Sequence, residues 1–187
     1  PIKDEGGNIL GVVLVFRDIT QRREQVAAQE YQILHDSLTG LPNRNVFYNR
    51  LQEAIITGHR NQEPLALFFL ELDRFKEMNQ KLGRYIGDLL LQQVGQRLWD
   101  MIKNKDDVAR VGGGQFTLLL PGVGQVEHAT PIADKVIQVV EKPFVLEGQT
   151  LRVQVSLGIA LFPEHSEDAD TLVHQAHRLI CILKFKK

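Results

Sequence analysis

Residues Asp107–Leu120 read DVARVGGGQFTLLL, two short apolar stretches separated by three consecutive glycines. The pattern predicts a β-hairpin, with strands near Asp107–Val111 and Gln115–Leu120 and with Gly112–Gly114 as its turn. Upstream, Leu65–Leu72 (LALFFLEL) is continuously apolar, as a central strand covered on both faces would be. Between the two lie a short helical pattern, Arg74–Leu82, and a longer one, Ile86–Ile102, with Leu89, Leu90, Val94 and Leu98 on one side. After the hairpin come a helix near Val126–Glu141, strands Phe144–Leu146 and Leu151–Phe162 around a Glu147-Gly148-Gln149 turn, and a last helix from near Asp168. Before the central strand, Asn43 in the turn cluster SLTGLPN is placed to cap a helix over Arg44–His59. Strands and helices alternate without internal repeats, which predicts a sheet with helices on its faces, α/β or α+β.

Composition narrows the class. The 187 residues carry 22 Lys plus Arg against 23 Asp plus Glu, a formal charge of −1. That balance argues against nucleic-acid binding, which needs clustered excess cations. At 43% hydrophobic and 24% charged, the chain reads as globular. Its apolar runs fall far short of the roughly 20 residues that span a bilayer. The single cysteine, Cys181, has no disulfide partner and excludes a thiolate metal cage. A cytoplasmic setting is expected, with membrane attachment left open for a longer chain. Residue 1 is proline and the chain ends at Lys187 inside a helical pattern, so a piece of a longer protein is expected.

The N-terminal segment has its own character. Asp4–Asn8 forms a turn before the apolar run Ile9–Phe16, a strand with no evident pairing partner in its own segment. Asp18 then caps a helix reaching about His35, with Ile19, Val26 and Ile33 seven residues apart. This seam suits a weak parallel coiled coil, or else a solvated connector helix.

Three places suit chemistry on physical grounds. Glu71 and Asp73 close the central strand, where carboxylates can hold Mg²⁺ against a phosphate; they can equally be solvated strand-exit charges. The glycine turn can present backbone N–H groups to phosphate, but no P-loop Lys-Ser follows it. His174 and His177 share a helix face at metal-ligand spacing without a third ligand nearby, so a solvated pair is the simpler reading.

Taken together, the segments resemble the diguanylate cyclase family, the GGDEF domains that condense two GTP into cyclic di-GMP. Asp36–Arg44 (DSLTGLPNR) is similar to the family's DxLTGLPNR, and Glu71–Asp88 (ELDRFKEMNQKLGRYIGD) to DxDxFKxINDxxGHxxGD. Arg110–Phe116 (RVGGGQF) aligns with RxGGDEF, and Val155–Pro163 (VSLGIALFP) with VSxGxAxxP. The resemblance implies an α+β fold with a ferredoxin-like βαββαβ core of the nucleotidyl-cyclase and polymerase-palm type, over residues 36–187. Residues 1–17 and the following DIT (Asp18–Thr20) resemble the closing strand and exit of a PAS sensor domain, with 18–35 as a helical linker.

The resemblance also says what chemistry to expect. The family holds metal ions with a carboxylate at the strand end and one or two on the hairpin. Here the strand position is Glu71, but the hairpin positions are Gly114 and Gln115, which offer no side chain and a neutral amide. Metal stabilisation is worth several kcal/mol, so its loss slows the reaction by ~10³ or more. A degenerate domain without turnover is therefore expected. Positions implied in nucleotide binding are better kept: Asn79 and Asp88 match the guanine-binding residues, and Lys184 a phosphate-reaching lysine. A helix cap and a surface carboxylate are the plainer roles for Asn79 and Asp88. The inhibitory RxxD motif is Lys103–Asp106 (KNKD), and Lys103 lacks arginine's bidentate fork, which argues against feedback binding of cyclic di-GMP.

The expectation is a regulatory domain in cyclic di-GMP signalling that binds GTP, with Mg²⁺ entering only alongside the nucleotide. A homodimer through residues 19–35 and a downstream phosphodiesterase (EAL) domain are the expected partners. The alternatives are a weakly active cyclase that keeps one metal on Glu71, and a ligand-free dimerisation scaffold.

Overall fold

Leu65–Leu72 (β3) is the strand on which the main sheet is assembled. The computed structural model describes residues 2–3, 5–7, 9–11, 33–102 and 107–184, with backbone only for 2–3, 9–11 and 180–184. The chain divides into two units, Pro1–Ile33 and Leu34–Lys187. In the first, Ile2–Lys3 (β1) and Ile9–Gly11 (β2) form an antiparallel pair. This corrects the expectation that the N-terminal strand has no partner in its own segment. Most of the expected linker and its heptad seam lie outside the described residues.

In the second unit, β3 is flanked by Gln115–Pro121 (β5) and Val155–Phe162 (β8), and β5 is flanked in turn by Val108–Gly112 (β4). All three pairings are antiparallel, giving the order β4-β5-β3-β8. This is the ferredoxin-like arrangement: helices Phe75–Leu82 (α2) and Arg84–Met101 (α3) link β3 to β4, and Val126–Val140 (α4) leads from β5 toward β8. Arg44–Asn61 (α1) precedes the core and Ala169–Lys184 (α5) follows it.

Alternation along β3 sorts the core into two layers. Ala66, Phe68, Leu70 and Leu72 pack with Leu90, Val94 and Leu98 of α3 and with Ala129 and Val136 of α4. Leu65, Leu67 and Phe69 pack with Phe47, Leu51 and Ile55 of α1 and with Leu172 and Ala176 of α5. A strand sandwiched in this way has no polar face, which is why LALFFLEL reads as one apolar run.

Local signals set the helix ends. Asn43 Oδ1 accepts from the N–H groups of Asn45 and Val46 and starts α1. Asp168 does the same for Thr171 N–H in α5, and its bonds from the Thr171 hydroxyl and amide hold its carboxyl below the usual range. Arg97 of α3 donates to the carbonyls of Val139, Val140, Lys142 and Pro143, satisfying the open end of α4, and stacks 3.6 Å from the Phe144 ring centre.

Three expected boundaries differ. The expected strand Leu151–Phe162 is interrupted: Gln149–Leu151 (β7) pairs with Phe144–Leu146 (β6) in a separate two-stranded sheet, and the main sheet resumes only at Val155. Arg74 precedes α2 in a left-handed conformation, φ 54°, because the chain turns sharply out of β3. The hairpin link is Gly113-Gly114 alone, since Gly112 still pairs with Gln115. Gly112 (φ 136°) and Gly113 (φ 51°) take up the positive-φ backbone that this turn demands.

Candidate functional site

At the end of β3, Glu71 pairs with Gln115 of β5 on one side and Ser156 of β8 on the other. Directly opposed residues in an antiparallel ladder project from the same face, so the three side chains form a row. Asp73, just past the strand, accepts a hydrogen bond from Ser156 Oγ at 2.8 Å and is thereby tied to the same row. An open cleft of about 370 Å³ runs beside it, lined by Glu71, Phe75, Lys76 and Gly112–Gln115.

Gly114 lies on the other side of the hairpin. A Cβ added there would stand 3.1 and 3.2 Å from the Phe75 side chain and 3.2 Å from Leu72 Cβ, closer than side chains normally tolerate. The position implied to carry a metal-binding carboxylate therefore offers no ligand and is crowded by Phe75, which would have to give by a few tenths of an ångström for a side chain to enter. Its neighbour Gln115 supplies an amide beside the carboxylate of Glu71. Among the described residues, no three His, Cys, Asp or Glu side chains gather to hold a metal ion. This donor set does not fit the two-metal clamp that an in-line phosphoryl displacement uses.

The hairpin is anchored by Arg110. Its Nη1 donates to both carboxylate oxygens of Asp36 at 2.8 and 2.9 Å, while Nη2 and Nε donate to the Gly113 carbonyl at 2.9 and 3.2 Å. Asp36 also accepts from the Thr39 amide and hydroxyl. Burial pushes the Asp36 carboxyl up, but the hydrogen bonds from Arg110 and Thr39 outweigh it and hold the group below the usual aspartate range. Sequence reasoning quoted both segments but missed this link across 74 positions; the only sequence signal is opposite charge at the edges of two motif blocks.

Asn79 occupies the last turn of α2 and Asp88 the second turn of α3, on either side of Gly83. Asn79 Oδ1 is buried with no hydrogen-bond partner among the described residues. Gly87 makes room for it, since any Cβ there would collide with that oxygen. Asp88 is 39% exposed and lies 4.0 Å from Arg84 Nε, a weak surface pair. Both residues sit on helices of the α3/α4 layer, across the sheet from α1 and α5.

Lys184 falls in the last turn of α5, with its side chain outside the described residues, as are Lys103 and Asp106 entirely. His174 and His177 border a second cavity, between α1 and α5, without forming a metal cluster.

Comparison with known proteins agrees with this geometry. Residues 33–187 match the family described as "Diguanylate cyclase, GGDEF domain". Diguanylate cyclase TpbB of Pseudomonas aeruginosa is 37% identical over 163 residues, 87% of this chain and 38% of that protein. The bifunctional diguanylate cyclase/cyclic di-GMP phosphodiesterase MucR of the same organism is 36% identical over 143 residues, 76% of this chain and 21% of its own length. The chain thus spans well under half of these relatives. The solved GGDEF domain of TpbB superposes with a TM-score of 0.77 at 38% identity, covering 82% of this chain and 90% of that one. The match over residues 33–187 and relatives 36–37% identical over most of its length show that the chain belongs to the GGDEF domain family.

Proposed function

We propose that this GGDEF domain works in cyclic di-GMP signalling as a regulatory module that binds GTP without converting it. The observation that carries the reading is the hairpin's donor set: Gly114 offers no side chain, and Gln115 places a neutral amide directly opposite Glu71. Retention of binding is supported by Asn79 and Asp88 standing on either side of Gly83; the Asn79 oxygen, buried against Gly87 without a partner among the described residues, would turn outward to accept from the guanine amine. Asp88 would accept from the same base edge, N1–H and the exocyclic amine together, a pair that adenine does not offer. Mg²⁺ accompanies the nucleotide, coordinated mainly by phosphate oxygens and water as this ion prefers. Lys184 is the residue proposed to reach the phosphates. Feedback binding of cyclic di-GMP at Lys103 and Asp106 is not part of this reading.

A weakly active cyclase is the second reading. It is favoured by Asp73, held beside Glu71 through Ser156, which gives one metal a second carboxylate to draw on. In the longer protein, residues 1–17 would close a PAS-like sensor domain and 18–35 would connect it to this domain and pair two copies. A phosphodiesterase domain downstream is the proposed target, by analogy with MucR. No helix among the described residues is long and apolar enough to cross a membrane.

Calorimetric titration of GTP, with and without Mg²⁺, tests the binding half of the proposal. Saturable binding that weakens at least tenfold in Asn79→Ala and Asp88→Ala is the expected result. Absence of heat at millimolar GTP would overturn it and favour the dimerisation scaffold.

A further inference from the structure

A cavity of about 360 Å³ opens between α1 and α5, on the sheet face opposite the helices that carry Asn79 and Asp88. Its apolar wall is built of rings. Phe47 and Tyr48 meet edge to face with centroids 5.2 Å apart, and Phe69 and His177 do the same at 5.2 Å. Arg44 lies over Tyr48, its guanidinium carbon 5.6 Å from the ring centre. Arg44 is exposed, and its N–H groups have no acceptor among the described residues. His174 and Asp170, from successive turns of α5, face the same space, and no hydrogen bond or ion pair of theirs is formed within the described chain either. Gln115 closes the inner end.

An aromatic lining together with an exposed guanidinium and an exposed carboxylate that have no hydrogen-bond or ion-pair partner among the described residues points to a ligand class. The volume lies at the lower end of ordinary small-molecule sites, room for about one or two fused rings. Arg44 presents the planar, bidentate fork that matches a carboxylate. Asp170 borders the same cavity and can accept from a hydroxyl or amine on the ligand, replacing water there. Tyr48 and His177, both part-exposed at the cavity, are the rings available for edge-to-face contact with a ligand ring. We propose that this cavity is a binding site for a small aromatic carboxylate bearing a ring hydroxyl or amine. It is separate from the guanine-binding positions and does not rest on the nucleotide reading. Because Gln115 belongs both to this cavity and to the row containing Glu71, an occupant would touch the glycine hairpin directly.

The test is a titration of ¹⁵N-labelled protein with 4-hydroxybenzoate, followed by amide chemical shifts. Saturating shifts are expected at residues 44–48, 111–115 and 170–177, with those around Asn79 and Asp88 unmoved. Arg44→Gln, an exposed change that removes the charge, should weaken 4-hydroxybenzoate at least tenfold. The same variant should leave 4-hydroxybenzyl alcohol, which lacks the carboxylate, within about twofold of the parent. Val173→Trp, which fills the cavity from α5, should abolish the shifts while the far face of the sheet keeps its spectrum. Absence of shifts up to 20-fold excess at millimolar protein would overturn the proposal. Equal weakening of both probes by Arg44→Gln, or shifts centred on the Asn79 face, would overturn it as well.

Discussion

Restoring the lost carboxylate at Gly114 should destabilise the domain before it restores any chemistry. The backbone at Gly114 is not in the left-handed region, so an L-residue is not excluded by its dihedral angles. The obstacle is space. A Cβ would meet Phe75 Cγ at 3.1 Å, Phe75 Cβ at 3.2 Å and Leu72 Cβ at 3.2 Å, and the rest of an aspartate must then find room beyond. Leu72 is buried at 2% exposure and held by β3, whereas Phe75 is half-buried at the start of α2, so Phe75 is the side chain that yields. Overpacking of this kind costs about 1–3 kcal/mol. For a domain of this size each kcal/mol lowers Tm by about 2–4 °C, so Gly114→Asp should melt roughly 2–12 °C below the parent. Phe75→Ala removes the collision, so the double variant should be more stable than the sum of the two single changes by about 1 kcal/mol. Urea midpoints on the four proteins of this cycle measure that coupling. A Gly114→Asp Tm within 1 °C of the parent, or strict additivity in the cycle, would refute the claim that Phe75 crowds the position.

Two further outcomes follow from the same geometry. Gly87→Ala should displace Asn79 and reduce GTP affinity at least as much as Asn79→Ala does by calorimetry, because its Cβ would need the place held by Asn79 Oδ1. Asp36 is depressed in the folded state, so the unfolded chain binds its proton more readily; the stability it contributes is complete above about pH 4 and is lost as pH falls through the lower folded value. Asp36→Asn should therefore lower stability by about 2 kcal/mol at neutral pH, the worth of a charge-assisted hydrogen bond to Arg110, and flatten the acid limb of a urea-midpoint profile between pH 2 and 5.

Much of the fold was legible because its signals are local. The bounds of β3 match the run Leu65–Leu72, since a strand covered on both sides needs no alternation and only its exit, at Glu71, carries charge. Asn43 announced α1 through its own side chain. The break after Leu151 was not legible: Gln149–Leu151 and Val155–Phe162 are both strand-like, and the interruption exists because they join different sheets. At the site, the motif residues could be placed by resemblance, but their contacts could not. The Asp36–Arg110 pair, the Asp73–Ser156 bond and the crowding of Gly114 by Phe75 join segments 74, 83 and 39 positions apart in the chain, through packing that no single segment encodes. The loss of hairpin carboxylates, in contrast, is plain in GGGQF itself.

The central claim is that this domain holds GTP without turning it over. Its most direct test is to incubate the purified protein at micromolar concentration with millimolar GTP and Mg²⁺, and to quantify cyclic di-GMP by chromatography. The account predicts a rate at least ~10³ below an active diguanylate cyclase assayed alongside, from the lost metal stabilisation. Product at a rate within tenfold of that enzyme, abolished by Glu71→Ala, would contradict it.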